Sequence, residues 1–332
     1  MKALVTGGAG FIGSHLVEAL LDQGHQVVVV DDLSTGQAQN LAGVTHSPSL
    51  QSYWTSILDD ERLQDVVDEV DVVYHLAAAV GVRLILERPV ETIETNILGT
   101  HRILRCAAKA QKKVLIASTS EVYGKNDRVP LREDDDGVLG PTSKSRWSYA
   151  CSKAIDEFLG LAYHQNKGLP VVIVRYFNTV GPRQTGRYGM VVPRFVQQAL
   201  AGEAMTVYGD GNQSRSFTDV ADAVRATLAL SRHPEAIGAV FNIGNGHEIT
   251  INDLAHRVKA LTGSASDIVH VPYERAYSEG FEDLRRRVPD IGKIRRLIGF
   301  SPEYDLDATL DKVIRYYRDG QGGQISARPS PP

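Results

Sequence analysis

The first fifteen residues constrain this chain more than any other stretch. Residues 2–6 (Lys-Ala-Leu-Val-Thr) read as a short buried strand, Gly7, Gly10 and Gly13 recur at a spacing of three, and Ser14–Asp22 reads as a helix. Each glycine has a mechanical use: one permits a tight turn, one lets backbone N–H groups approach a pyrophosphate, and one lets the helix pack close to the strand. A second strand, Val27–Asp31, follows. Asp31 falls eighteen residues after Gly13, where a carboxylate can take the hydroxyls of an adenosine ribose. A glycine triplet alone marks only a turn in an α/β domain; with strand, helix and acid in order, it marks a dinucleotide site. A carboxylate at Asp31 would repel a 2′-phosphate, and no Arg follows it directly, so NAD is favoured over NADP.

Strand and helix patterns then alternate. Val70–Leu76 reads as a buried strand, and Ala77–Ala79 are small enough for a flat group to lie against them. Pro89–Ala110 reads as a long helix with proline in its first turn, Val114–Thr119 as a strand, Ser148–Lys167 as a helix and Pro170–Tyr176 as a strand. This alternation predicts an α/β, Rossmann-type, doubly wound parallel sheet. After Asn178 the pattern loosens into shorter elements, near Phe195–Ala201, Thr206–Tyr208, Val220–Ser231 and Val240–Ile243. The expected division is a mainly NAD-binding domain over 1–178, to which some later segments return, and a smaller substrate-binding lobe over 179–318. The Gly-, Ser- and Pro-rich tail over 319–332 is expected to be disordered.

Length and charge narrow the class. The 332 residues suffice for one large domain with a smaller lobe, and 42% hydrophobic with 23% charged residues describe a globular protein. A net charge of −4 argues against a general nucleic-acid binder. Cys106 and Cys151 are the only cysteines and form no zinc pattern, so both are expected as reduced thiols and no metal is expected. The cofactor strand begins at the second residue, which leaves no room for a signal peptide, and no apolar run reaches membrane-span length. A cytoplasmic protein without a membrane partner is the expectation.

The chemistry-bearing residues fall at successive strand ends. Thr119 closes one strand within Ser118-Thr-Ser-Glu-Val-Tyr-Gly124. Tyr149 and Lys153 are four apart on a helix and share a face. A lysine ammonium favours a phenolate and lowers the tyrosine pKa, which makes Tyr149 a candidate general base, with Thr119 bonding the same substrate oxygen.

With these residues in hand, the sequence resembles the extended short-chain dehydrogenase/reductases that act on nucleotide sugars. The resemblance covers nearly the whole chain. It rests on the glycine turn, Asp31, His75-Leu-Ala-Ala78, Asn96-Ile-Leu-Gly-Thr100, Thr119, Tyr149-x-x-x-Lys153 and Arg175-Tyr-Phe-Asn-Thr-Val-Gly-Pro-Arg183. It implies that Tyr149 takes a proton from a sugar hydroxyl, usually at C4, while hydride passes to NAD, and that Lys153 also holds the nicotinamide ribose. The cofactor contacts it implies are Gly7, Gly10, Phe11, Ile12 and Gly13 in the turn, and Asp31 and Asp32 after the second strand. Leu76, Ala77 and Ala78, then Asn96, Tyr176, Ser56 and Ile57, complete the set. Ser56 departs from the family, where an Asp usually stands before the Ile.

For the substrate, the resemblance implies Asn178 on a phosphate, and Val191, Val192 and Tyr208 around the base. Arg215 and Arg287 would hold the diphosphate and ribose, Asp290 the ribose, and Val82, Arg83, Thr119 and Ser120 the sugar. A homodimer through Pro89–Ala110 and Ser148–Lys167 is also implied.

The 4-keto sugar is common to several reactions, and Glu121 discriminates among them. It lies two positions after Thr119, within reach of C5 or C6; a strand-end carboxylate bonding backbone is the plainer alternative. Simple epimerases generally lack it. Thymidine-diphosphoglucose dehydratases carry Asp-Glu where this chain has Ser120-Glu121, and GDP-mannose dehydratases have Thr-Ser-Glu but use NADP. Ser118–Gly124 and Arg146-Trp-Ser-Tyr149 look most like UDP-glucuronate decarboxylases, as does Arg287 before Pro-Asp-Ile. Ala79-Val-Gly-Val-Arg83 looks closer to epimerases. The leading expectation is decarboxylation of UDP-glucuronate to UDP-xylose, with catalytic roles for Thr119, Glu121, Tyr149, Lys153 and Arg287. A UDP-hexose or UDP-glucuronate 4-epimerase comes next. A 4,6-dehydratase and a non-catalytic NAD-binding regulator are further alternatives.

Overall fold

The computed structural model describes residues 1–59, 61–81, 85, 87–186, 190–276 and 284–320. Its centre is a sheet of seven strands: β1 (Lys2–Thr6), β2 (Gln26–Asp31), β3 (Leu50–Trp54), β4 (Val72–His75), β5 (Lys113–Thr119), β6 (Val171–Tyr176) and a late arrival, Ala239–Ile243. All pair in parallel, in the spatial order late strand, β6, β5, β4, β1, β2, β3. The order reverses between β1 and β4. Connections leave these neighbours toward opposite edges, so a crevice opens above their carboxyl ends, the usual ligand position in such sheets.

Helices cover both faces. On one side α1 (Phe11–Asp22) packs with a later helix, Val220–Arg232, over Val5, Val29 and Val174. On the other, α2 (Leu63–Glu69), α3 (Pro89–Ala110) and α4 (Arg146–Lys167) cover Leu4, Val73 and Ile116. The strands are buried on both faces and read as apolar runs for that reason. The exception is β3, Leu-Gln-Ser-Tyr-Trp, a half-exposed edge strand whose mixed polarity hid it from the sequence reading.

The second core gathers α5 (Val191–Ala201), α7 (Ile251–Thr262) and Leu306–Arg318 around Phe195, Leu254 and Val313. The segments that return to the sheet are now specific: α6 (Val220–Arg232) packs against α1, and Ala239–Ile243 extends β6. Both carry apolar residues that only the large sheet can bury. The helix at the glycine turn begins at Phe11, three residues earlier than its sequence pattern suggests, because Gly10 serves as its N-cap and Gly13 lies within the first turn. The expected tail lies, from 321 onward, outside the described residues, as do Val82 and Arg83.

Candidate active site

One continuous cleft runs across the carboxyl ends of the sheet and under the smaller core. Its cofactor end is built from backbone. Gly7 has φ +71°, a region glycine adopts without strain, and a Cβ there would lie 2.7 Å from the Ala77 nitrogen. A Cβ on Gly13 would lie 2.0 Å from the Gly7 carbonyl oxygen. The turn therefore closes tightly and sets the first turn of α1 against the cleft. That turn has no side-chain cap and no acid, and its leading N–H groups lack intrahelical acceptors, which suits an anion.

Asp31 closes the same end. Its Oδ2 accepts from Ala9 N at 2.9 Å and its Oδ1 from Leu33 N at 2.8 Å, which fixes the carboxylate at the cleft wall. Burial pushes its pKa up, against the lowering effect of these two bonds. Each oxygen keeps acceptor capacity for a hydroxyl. Phe11, Ile12, Asp32, Ser56, Ile57, Leu76, Ala77, Ala78 and Tyr176 also line the cleft. The Ser56 hydroxyl accepts from Leu58 N, so it holds its own turn. The Tyr176 hydroxyl points to Thr227 Oγ1 at 2.7 Å.

Asn96 stands apart from the other expected cofactor contacts. It is buried outside the cleft lining, and its amide holds Ala79 N at 2.8 Å and Ser152 Oγ at 3.1 Å. It ties the loop after β4 to α4. Gly8 went unnoticed in the sequence; a Cβ there would meet the Val29 methyls at 2.8 Å.

The reacting groups meet where β5 ends and α4 begins. Glu157 bolts α4 to the sheet: it takes Arg175 in a forked ion pair at 2.7 Å and accepts from Ser118. Tyr149, Lys153 and Thr119 all line the cleft, and the Thr119 hydroxyl is close enough to favour the Tyr149 phenolate. Burial pushes the Tyr149 hydroxyl well above its ordinary pKa, and the charge of Glu121 adds to this. The expected lowering by Lys153 is not what the geometry delivers, because the Lys153 ammonium gives a 2.6 Å ion pair to Asp156. Sequence spacing showed the shared helix face but not the acid one turn further on.

Glu121 is the centre of a charge cluster. Arg146 Nη1 donates to its Oε2, and Arg287 Nη1 approaches its Oε1 at 3.3 Å and Ser120 Oγ at 3.4 Å. Burial pushes the Glu121 carboxyl up, but Arg146, Arg287 and Arg215 outweigh it and hold it down to about 2. Arg146 and Arg287 are buried. Arg146 was noted only as part of a resemblance; its spacing of three from Tyr149 on a helix was the signal that it shares the catalytic face.

The far end of the cleft is lined by Asn178, Val191, Val192, Tyr208 and Arg215. Arg215 Nη1 donates to Ser214 O and Leu284 O, both at 2.7 Å. The Arg194 guanidinium stacks 3.9 Å from the Tyr208 ring centroid, a contact the sequence did not reveal. Asp290, expected at the substrate ribose, also stands apart. It lies outside the cleft lining; its Oδ1 accepts from Gly292 N at 2.6 Å and its Oδ2 faces Arg132 at 3.4 Å. The turn into helix Gly292–Ile298 claims this carboxylate.

A cleft with a glycine turn, a pinned acid after the second strand and a Thr-Tyr-Lys set defines an extended short-chain dehydrogenase/reductase. Residues 4–313 match the GDP-mannose 4,6-dehydratase family, and the chain belongs to it. It is 46% identical over 319 residues to a UDP-N-acetyl-alpha-D-glucosaminuronate decarboxylase of Bacillus cytotoxicus, covering 96% of this chain and 98% of that one. It is 37% identical to UDP-glucuronic acid decarboxylase 1 of Danio rerio, covering 95% and 72%. Among solved structures it is similar to a UDP-glucuronic acid 4-epimerase from Bacillus cereus in complex with UDP-glucuronic acid and NAD. That match has a TM-score of 0.85 and 32% identity, covering 96% of this chain and 99% of that one. No described helix is long and apolar enough to cross a membrane, and among the described residues no group of His, Cys, Asp or Glu is arranged to hold a metal ion.

Proposed function

We propose that the protein uses NAD to oxidise C4 of a UDP-linked glucuronic acid and then releases C6 as CO2. The carrying observation is the Arg146–Glu121–Arg287 cluster, set beside Thr119 and Tyr149 in one cleft. Two buried guanidinium groups are a poor environment for a neutral C6 hydroxymethyl and a good one for a carboxylate. The decarboxylase relatives support the same reading.

The residues fit NAD. The glycine turn and the uncapped start of α1 would take the pyrophosphate, Asp31 the adenosine ribose, and Ala77 and Ala78 the approach to the nicotinamide. Bound there, NAD would supply the acceptor for the C4 hydride and return it later.

Tyr149 Oη, acting as phenolate, takes the O4 proton as the C4 hydride leaves, giving a 4-keto uronic acid. This is a β-keto acid. The C5–C6 bond breaks, CO2 leaves, and the bonding pair moves through C5–C4 onto O4. The Thr119 and Tyr149 hydroxyls face that oxygen and stabilise the enolate. Arg146 and Arg287 orient the departing carboxylate, and Glu121 keeps their forks fixed. C5 then takes a proton from water, and after hydride return Tyr149 gives its proton back to O4.

Val90, Ile93 and Leu98 on α3 and Phe158 on α4 are exposed on adjoining helices and support a homodimer through this face. A monomer-mass particle by light scattering would overturn that assembly.

The solved 4-epimerase with UDP-glucuronic acid supports a second reading, since it too accepts a uronic acid. Proton NMR of the enzyme with NAD separates the two, run on UDP-glucuronate and on UDP-N-acetylglucosaminuronate in parallel. A UDP-pentose or UDP-4-ketopentose with CO2 is expected from at least one. A C4 epimer without CO2 would replace decarboxylation by epimerisation. NAD bound with no change in either sugar would point to another nucleotide sugar before it pointed to a non-catalytic regulator.

A further inference from the structure

Asp156 has no place in the chemistry above, yet it is wholly buried beside the lysine that chemistry needs. It follows Tyr149 by seven residues and Lys153 by three, so all three lie along one face of α4. Its Oδ2 accepts from Lys153 Nζ at 2.6 Å, and the two side chains are 0% and 3% exposed. A charge at such depth persists only with a partner, and removing one member leaves the other uncompensated.

The surroundings leave Lys153 as that partner. On α4, Glu157 is taken by Arg175. Burial, with Glu157, pushes the Asp156 carboxyl up, and Lys153 is the main group that favours its charge; from α3, the Thr100 hydroxyl adds to this and bonds His75 Nε2 at 3.0 Å. From β4, His75 brings no charge: burial first and the Lys153 charge second hold its pKa down to about 3. Its Nδ1 is engaged by Thr6 Oγ1 on β1 at 2.8 Å. The groups packed around the pair are thus neutral or paired elsewhere.

We propose that Asp156 is a positioning residue: it holds the Lys153 ammonium in the cleft wall, one turn beyond Tyr149, and through it sets the pH at which Tyr149 can act as a base. An ammonium shared with a carboxylate supports a neighbouring phenolate less than a lone ammonium does. The Asp156 charge also acts on Tyr149 directly, among the influences that keep its hydroxyl protonated. Burial and the Glu121 charge do most to keep the tyrosine neutral, Arg146 opposes them, and Asp156 adds to them until a bound ligand changes the balance.

The inference rests on Tyr149 being the base, so Tyr149→Phe is measured alongside. The test is the pH dependence of kcat for Asp156→Asn, with NAD affinity measured separately. Asparagine keeps the shape and an acceptor for Lys153 but removes the charge. The acid limb is expected to move down by about one pH unit, while Asp156→Glu keeps it near the wild-type position. An unmoved limb with kcat lowered at every pH, or a limb moved up, overturns the proposal and leaves Asp156 a structural ion. If Asp156→Asn does not fold, Asp156→Ser, which leaves room for water beside Lys153, is read in the same way. Turnover surviving in Tyr149→Phe with the same acid limb would overturn the base assignment instead.

Discussion

The two ends of the cleft are made differently. At the cofactor end the contacts are backbone: a turn that only glycine can close, a helix start, and a carboxylate pinned by two N–H groups. At the other end they are side-chain charges gathered from the turn after β5, from α4 and from the stretch before Pro289. Backbone sites tolerate no added atom but need no partner. Charge clusters tolerate small changes of shape but fail when one sign is removed.

The largest expected effect falls where the two ends meet. Tyr149→Phe should lower kcat by about 10³-fold and leave NAD affinity close to wild type, as read by steady-state turnover and by titration calorimetry. A matching loss of NAD affinity would show that the tyrosine belongs to the cofactor end.

Glu121→Gln tests the charge-built end. It leaves Arg146 and Arg287 without their shared anion in a buried site, at a cost of about 3 kcal/mol in unfolding free energy. The pH dependence has a definite sign. The folded-state pKa of Glu121 is depressed to about 2 from an ordinary 4.5, so its contribution is complete above that value and is lost as pH falls toward 2. The stability gap between wild type and variant should be widest near neutral pH and close on acidification. A gap independent of pH would mean that the carboxylate is not the source of the effect. Decarboxylation should also fall more than NAD binding.

Gly13→Ala tests the backbone-built end. The added methyl would sit 2.0 Å from a main-chain oxygen with no flexible neighbour to yield, so turn and helix must separate. About 2 kcal/mol of destabilisation is expected from overpacking of this kind, with at least tenfold weaker NAD binding. An unchanged NAD affinity would mean that the turn does not carry the pyrophosphate.

The same contrast explains what was legible in the sequence. Strand, turn, helix and acid are local, and each has a residue type that only one conformation accommodates, so Gly7, Gly13 and Asp31 could be placed by spacing. The helix face joining Tyr149 to Lys153 was legible for the same reason. Asp156 and Arg146 lay on that face too, but no periodicity says which neighbour a buried ammonium or carboxylate will choose. Glu121, Arg146 and Arg287 come from three separate stretches, and only the fold brings them together. Asn96 and Asp290 bond loop backbone, a use that no spacing in the sequence distinguishes from a ligand contact.

Asp290→Asn gives the smallest expected effect and tests the backbone role of that carboxylate most directly. Asparagine can still accept from Gly292 N, so the turn persists; only the pair with Arg132 is weakened, and the Arg132 side chain is 67% exposed. Such a pair contributes less than about 0.5 kcal/mol. The KM for the UDP-sugar should stay within about twofold of wild type, because uniform substrate binding raises KM only when a contact to the substrate is lost. A tenfold rise in KM with kcat unchanged would return Asp290 to the ribose. The substrate end would then rearrange on binding, and its residues could not be assigned from the cleft lining as those of the cofactor end can.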